Sequence, residues 1–167
     1  RYDPVTNAWE AVAPMATARQ THDMAVLDSK LYAVGGYGGG ALSSVERYDP
    51  ALDAWEAVAP MAAARYDHAV AVLDGKLYAV GGLDAGRNRL SSVERYDPAT
   101  NAWEAVAPMA EARYAHAVAV LDGSLYVMGG YNNGFLSSVE RYDPAVGAWE
   151  AVAPMAAARM KAFAVLM

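Results

Sequence analysis

The chain has 167 residues, a formal net charge of −6 and no cysteine. The missing thiol excludes a disulfide scaffold, a thiolate metal site and a cysteine nucleophile, and it fits a reducing compartment. The acidic balance argues against nucleic acid, and no apolar run reaches the roughly 18 residues of a membrane span. We therefore expect a cytoplasmic protein that binds neither nucleic acid nor membrane.

A repeat of 46 to 48 residues organises the whole sequence. The tetrapeptide Arg-Tyr-Asp-Pro occurs four times, and a tryptophan recurs at the same steps. Repetition this regular is not expected by chance and identifies a repeat architecture. The tetrapeptides start at Arg1, Arg47, Arg95 and Arg141, and the tryptophans are Trp9, Trp55, Trp103 and Trp149.

Each unit contains four short runs that are typical of β-strands. In the second unit Asp74-Gly75 provides a two-residue hairpin turn, and Gly81-Gly82 ends the second run. No run shows the sustained 3.6-residue period of a helix. We name the runs strands a, b, c and d; in the second unit they are residues 68–73, 76–80, 90–96 and 102–106.

Four antiparallel strands per unit is the pattern of a β-propeller blade. A Gly-Gly pair after strand b, followed by a tyrosine and a tryptophan seven residues apart, resembles the kelch repeat; Tyr96 and Trp103 are one such pair. The Val-Glu-Arg-Tyr-Asp-Pro and Ala-Pro-Met segments are most similar to the kelch-like family, whose adaptors join BTB, BACK and kelch domains. The resemblance covers essentially the whole chain and implies an all-β kelch propeller segment.

The repeat predicts three complete four-stranded blades, a lone N-terminal strand d and a lone C-terminal strand a. Because closed propellers have about four to eight blades, this arc cannot close on itself. Three explanations stay open: a fragment of a longer propeller, two chains that complete one ring, or a designed or recently amplified array. The predicted segments are 1–13 (the end of strand c and strand d), the blades 14–59, 60–107 and 108–153, and 154–167 (the closing strand a).

The strand order predicts two rims with different sequences. The a–b and c–d turns share the first, which we call the turn rim; it is acidic and nearly invariant. The d–a and b–c loops share the second, the variable rim, where the repeats differ, and such loops on a rigid scaffold commonly carry binding residues. Seven basic and four acidic residues leave the variable rim an expected excess of about three positive charges, which predicts an acidic partner.

Arginine and tyrosine are frequent in interface hot spots, and arginine can hold a carboxylate with two parallel hydrogen bonds. The kelch-like resemblance also implies that the residue after the d–a arginine and the residue after Gly-Gly contact a bound peptide. Leu83 and Met160 stand at such positions but depart from the polar or aromatic type. We predict twelve partner-binding residues: Arg19, Gln20, Tyr37, Arg65, Tyr66, Arg87, Arg89, Arg113, Tyr114, Tyr131, Asn132 and Arg159.

The resemblance implies a protein–protein interaction scaffold that binds an acidic peptide or loop, as the substrate-recognition part of a ubiquitin-ligase adaptor. One alternative is a designed or amplified repeat protein that self-assembles into a closed propeller; another is an enzyme on a kelch scaffold. Every titratable group is either repeated or in a short loop, so we expect no catalytic residue and no cofactor. His22, His68 and His116 recur on successive strands a, which spreads them around the axis and argues against a metal site.

Overall fold

The computed structural model describes residues 1–161, and the strands within it are joined by turns and loops. The closing strand a, predicted at the end of segment 154–167, lies outside the described residues. Within the described range no helix is long and apolar enough to cross a membrane. The strands are β1 (Tyr2–Asp3), β2 (Ala8–Trp9), β3 (Asp23–Leu27), β4 (Lys30–Val34), β5 (Val45–Asp49), β6 (Ala54–Val58), β7 (Ala69–Leu73), β8 (Lys76–Val80), β9 (Val93–Asp97), β10 (Ala102–Val106), β11 (Ala117–Leu121), β12 (Ser124–Met128), β13 (Val139–Asp143) and β14 (Ala148–Val152).

These strands form three four-stranded antiparallel sheets, β3–β6, β7–β10 and β11–β14, and β1 pairs with β2 in a two-stranded sheet. Within each large sheet the strands lie side by side in chain order. The first strands of neighbouring sheets contact one another, β3 with β7 and β7 with β11, so strand a lies innermost. The predicted all-β propeller segment with three complete blades is therefore confirmed.

Strand c is shorter than the sequence predicts in the second blade. It begins at Val93 instead of Leu90, because the backbone of the three preceding residues bonds to loops. The carbonyl of Leu90 accepts from the N–H of Arg113, and the carbonyl of Ser92 accepts from the N–H of Gly81. Residues 90–92 therefore tie the b–c loop to the next d–a loop.

The hydrophobic core lies between blades, because a blade is a single sheet with two faces to cover. Tyr32 and Val34 of the first blade are buried together with Leu77 and Tyr96 of the second. The rings of Tyr32 and Tyr96 lie 5.8 Å apart between centroids, at the tilted angle that aromatic pairs favour. An equivalent cluster joins the second and third blades.

The repeated tryptophans fasten each blade to the one before it. The indole Nε1–H of Trp55 donates to the carbonyl of Ala13 at 2.9 Å, and that of Trp103 donates to Ala59 at 2.9 Å. The same bond recurs in the third blade, where the acceptor is the carbonyl of Ala107. The tryptophan therefore packs an apolar ring while its polar tip finds a partner.

A second set of hydrogen bonds that reaches the preceding blade is present in the first two blades and absent from the third. The side-chain oxygen of Asn101 accepts from the Tyr96 hydroxyl at 2.9 Å and from the N–H of Ala59 at 3.0 Å. Asp53 makes the equivalent pair of bonds in the blade before it. The equivalent position in the third blade is Gly147, which has no side chain to make them.

Gly147→Asn is therefore expected to raise the free energy of unfolding by about 1 kcal/mol, since it supplies an acceptor for two donors. Gly147 has a φ of +71°, which asparagine tolerates, and nothing lies within 4 Å of a Cβ built there. Urea denaturation measures the effect. Gly123→Asn is the control, because Gly123 has a φ of +70° and equal space but lies in an a–b turn. Equal effects of the two substitutions would contradict the role of the missing bonds.

Candidate functional site

The d–a and b–c loops meet on one rim, as the strand order predicts. In each blade a d–a residue pairs through its backbone with the first residue after Gly-Gly, which pairs in turn with a residue at the end of the b–c loop. We call each set of three a rim triplet. The triplets are Gln20–Tyr37–Ala41, Tyr66–Leu83–Arg89 and Tyr114–Tyr131–Phe135.

One aromatic contact connects the first and second rim triplets, and two more lie within the third triplet. The rings of Tyr37 and Tyr66, from neighbouring blades, lie 5.4 Å apart between centroids. In the third blade Tyr131 contacts Tyr114 and Phe135, with both centroid separations at 5.6 Å. The variable rim thus presents rigid aromatic surface of the kind that interfaces favour.

Three arginines that we predicted to bind a partner are buried instead. The guanidinium groups of Arg19, Arg65 and Arg113 are 0 % exposed. Arg65 shows the shared pattern: Nη1 donates to the carbonyl of Gly81 at 2.8 Å, and Nη2 contacts Oε1 of Glu94 at 2.8 Å. A side chain with no accessible surface cannot contact a partner, so the prediction for these three residues is wrong.

The buried arginines are held by glutamates that the prediction did not use. Glu46, Glu94 and Glu140 pair with Arg19, Arg65 and Arg113 respectively. Burial alone would raise the pKa of Glu46, but hydrogen bonds from Arg19 and from two backbone N–H groups outweigh it and hold that pKa below its ordinary value. The ion pairs therefore clamp strand c to the d–a loop.

This pairing also corrects the predicted charge of the variable rim. We counted seven basic and four acidic residues there, and the three buried glutamates neutralise three of the basic ones. The rim therefore carries no net positive charge. The formal charge of −6 belongs to the turn rim, where aspartates outnumber Lys30 and Lys76 and those two lysines are themselves paired.

The remaining predicted residues lie at the surface of the variable rim. Arg87 and Arg89 are exposed on the longest b–c loop, and Asn132 is half-buried beside Glu111. Arg159 is exposed within the described residues, although its equivalents in the earlier blades are buried. Phe135 was missed; it is 60 % exposed, and alignment of the b–c loops from their ends would have paired it with Arg89.

The histidines have a structural setting close to the propeller axis. His22, His68 and His116 lie where strands a begin. Together with Thr21, Asp23, Asp67 and Lys161 they line an open cavity of about 390 Å³. His68 also packs against Gly35, where a Cβ would lie 2.9 Å from the ring. His116 repeats this contact with Gly81. The rings therefore fill the space that the glycine pairs leave open.

His68 and His116 are expected to stay neutral in the folded protein under mildly acidic conditions. Burial chiefly, together with the charge of neighbouring arginines, lowers the pKa of each to about 3. Because the folded pKa lies below the unfolded value of about 6.5, the two rings stabilise the fold fully above that value and progressively less as pH falls towards 3. NMR titration of the ring protons measures this, with the half-buried His22 as internal reference. Shifts of all three rings at the same pH would contradict it.

Comparison with known proteins places this propeller of four-stranded blades in a family. The KLHDC2/KLHL20/DRC7 Kelch-repeats domain matches residues 1–165. The chain therefore belongs to the kelch-repeat family, as the sequence resemblance predicts.

Individual relatives match over about one repeat. Kelch-like protein 5 of Homo sapiens is 54 % identical over 41 residues, which cover 25 % of this chain and 5 % of that protein. Kelch-like protein 7 of Homo sapiens is 44 % identical over 46 residues, or 27 % of this chain and 8 % of the relative. The solved structure of YjhT superposes with a TM-score of 0.78 and 18 % identity over 89 % of this chain and 56 % of that chain, a likeness of fold alone.

Proposed function

We propose that the variable rim is a protein-binding surface, and that this chain acts as a non-enzymatic interaction module. The observation that carries the proposal is the contrast between rims. The framework of Gly-Gly, Tyr, Trp, Arg and Glu repeats in every blade, whereas the rim triplets differ and expose aromatic side chains. Variable surface on a repeated scaffold is where such folds commonly carry binding specificity.

The kelch-like relatives favour a peptide or loop of another protein as the ligand, and a ubiquitin-ligase adaptor as the role of a longer protein. An acidic ligand now depends on Arg87, Arg89 and Arg159, because Arg19, Arg65 and Arg113 are buried. The remaining contacts are proposed for Gln20, Tyr37, Tyr66, Tyr114, Tyr131 and Asn132, with Phe135 added.

Cross-linked affinity purification with paired variants tests this function. Tyr66→Ser with Tyr114→Ser removes two aromatic rings from the variable rim, and Leu52→Ser is the control, since Leu52 is 74 % exposed on the turn rim. We expect the unaltered chain and the control to capture the same partner proteins. We expect the double variant to lose those partners. Retention of the same partners by all three proteins would contradict a binding role for the variable rim.

A second candidate function is self-assembly with another copy of the chain. It is favoured by apolar side chains that are exposed on β2 and β3, although their equivalents in the other blades are partly covered. Trp9 is 81 % exposed, although Trp55, Trp103 and Trp149 are each covered by a preceding blade. Val26 on the same side is 64 % exposed, whereas Val72 and Val120 are half-buried. Light scattering measures the mass in solution. A monomer of 17.7 kDa at all concentrations would contradict self-assembly.

A further inference from the structure

Exposed guanidinium and aromatic groups meet where the second and third blades join on the variable rim. The guanidinium carbon of Arg89, at the end of the second b–c loop, lies 6.0 Å from the ring centroid of Tyr131 in the third blade. Phe135 contacts the same tyrosine edge-on. We call Arg87, Arg89, Tyr131 and Phe135 the Arg89 patch.

The two arginines of the patch have no carboxylate partner among residues 1–161. Seven other arginines of the described chain pair with a glutamate within 4 Å; Arg87, Arg89 and Arg159 do not. Two acidic residues of the variable rim are already engaged by other donors. Asp84 accepts from the backbone and side chain of Asn88, and Glu111 accepts from the Ser138 hydroxyl at 2.9 Å.

The loop that carries the arginines is braced before any partner binds. The N–H of Arg87 donates to the carbonyl of Asp84 at 3.0 Å, and the N–H of Asn88 donates to the Asp84 carboxylate at 2.8 Å. The backbone bridge between Leu83 and Arg89 closes the loop. Little ordering of the loop is then needed on binding, which lowers the entropy lost.

The junction between the first and second blades provides an internal comparison. It has an aromatic pair, Tyr37 and Tyr66, but Ala41 stands at the position of Arg89. That junction offers apolar contact without free charge. The Arg89 patch offers both, so charge complementarity distinguishes it from the rest of the aromatic rim.

We propose that the Arg89 patch binds an extended acidic segment of a partner protein. A carboxylate of the segment accepts hydrogen bonds from Arg89 and Arg87, and an adjacent apolar or aromatic side chain packs on Tyr131 and Phe135. Stacking on Tyr131 orients the guanidinium of Arg89 so that it can grip a carboxylate. This deepens the proposed function and depends on it, since the patch is one sector of the same rim.

Selection from a random peptide library displayed on phage tests the proposal with the full chain as bait. We expect selected peptides to carry aspartate or glutamate beside an aromatic or branched apolar residue. The affinity of a selected synthetic peptide, measured by fluorescence anisotropy, should fall about tenfold in Arg89→Ala and be only partly restored in Arg89→Lys. Lys161→Ala is the matched control, because it removes an exposed basic side chain of the same rim that is neither in the patch nor among the predicted binding residues, and it should leave the affinity unchanged.

Three outcomes would contradict the proposal that the Arg89 patch binds an acidic segment. They are selection of no peptide, selection of neutral or basic peptides, and equal effects of Arg89→Ala and Lys161→Ala. The proposed function is tested separately by Tyr66→Ser. If that substitution weakens a peptide that Arg89→Ala leaves unaffected, the rim binds its ligand elsewhere and only the patch fails. If no rim substitution weakens the selected peptides, both proposals fail.

Discussion

Replacing Glu94 by leucine is expected to lower the free energy of unfolding by about 3–5 kcal/mol, because it leaves a buried guanidinium without its counter-ion. Oε1 of Glu94 lies 2.8 Å from Nη2 of Arg65, whose side chain is 0 % exposed. The carboxylate also accepts from the N–H groups of Ala62 at 2.7 Å and Ala63 at 3.0 Å. Leucine can accept none of these bonds, and buried donors without acceptors are strongly destabilising.

Urea denaturation of Glu94→Leu and Glu104→Leu measures the effect against a matched control. Glu104 pairs with Arg95 on the neighbouring strand, and its side chain is about half exposed. An exposed pair is worth about 0–1 kcal/mol, so the control should unfold almost as the unaltered chain does. Equal losses in the two variants would show that the buried pair contributes no more than a surface pair.

The fold was predictable because its determinants are local and repeated. Hairpin turns such as Asp74-Gly75 and the Gly-Gly pairs mark the strand ends to within a few residues. The number of repeats in the sequence gives the number of blades. The start of strand c was the exception. Residues 90–92 read as strand, but their carbonyls accept from Gly81, Met109 and Arg113, and such distant partners have no local signal.

The candidate site was less predictable, because burial of a charge depends on partners far along the chain. Arg65 and Glu94 are 29 residues apart, and nothing near Arg65 in sequence indicates that its side chain is enclosed. A signal did exist: Glu46, Glu94 and Glu140 recur once in every repeat, as the arginines do. A charge repeated in every blade indicates a framework pair, whereas Arg87 and Arg89, which do not repeat, remain candidates for binding.

Gly81→Ala is expected to lower the free energy of unfolding by about 3–5 kcal/mol, through backbone strain and a steric clash together. Gly81 has a φ of +58°, a region that costs a residue with a Cβ about 1–2 kcal/mol. A Cβ there would also lie 2.6 Å from the carbonyl oxygen of Arg113 and 2.9 Å from the His116 ring. That carbonyl accepts from the N–H of Gly82, so relief of the clash breaks a bond between blades.

Gly75→Ala separates the two contributions, because Gly75 has a φ of +70° but nothing within 4 Å of a Cβ. It should cost only the strain of about 1–2 kcal/mol. The difference between the variants in urea denaturation therefore measures the close approach of the d–a loop to the glycine pair. If the two variants unfold at the same urea concentration, the space at Gly81 is not what the blade interface requires. A larger loss in Gly81→Ala makes the Gly-Gly pair the point where the loops of the variable rim are fixed to the scaffold.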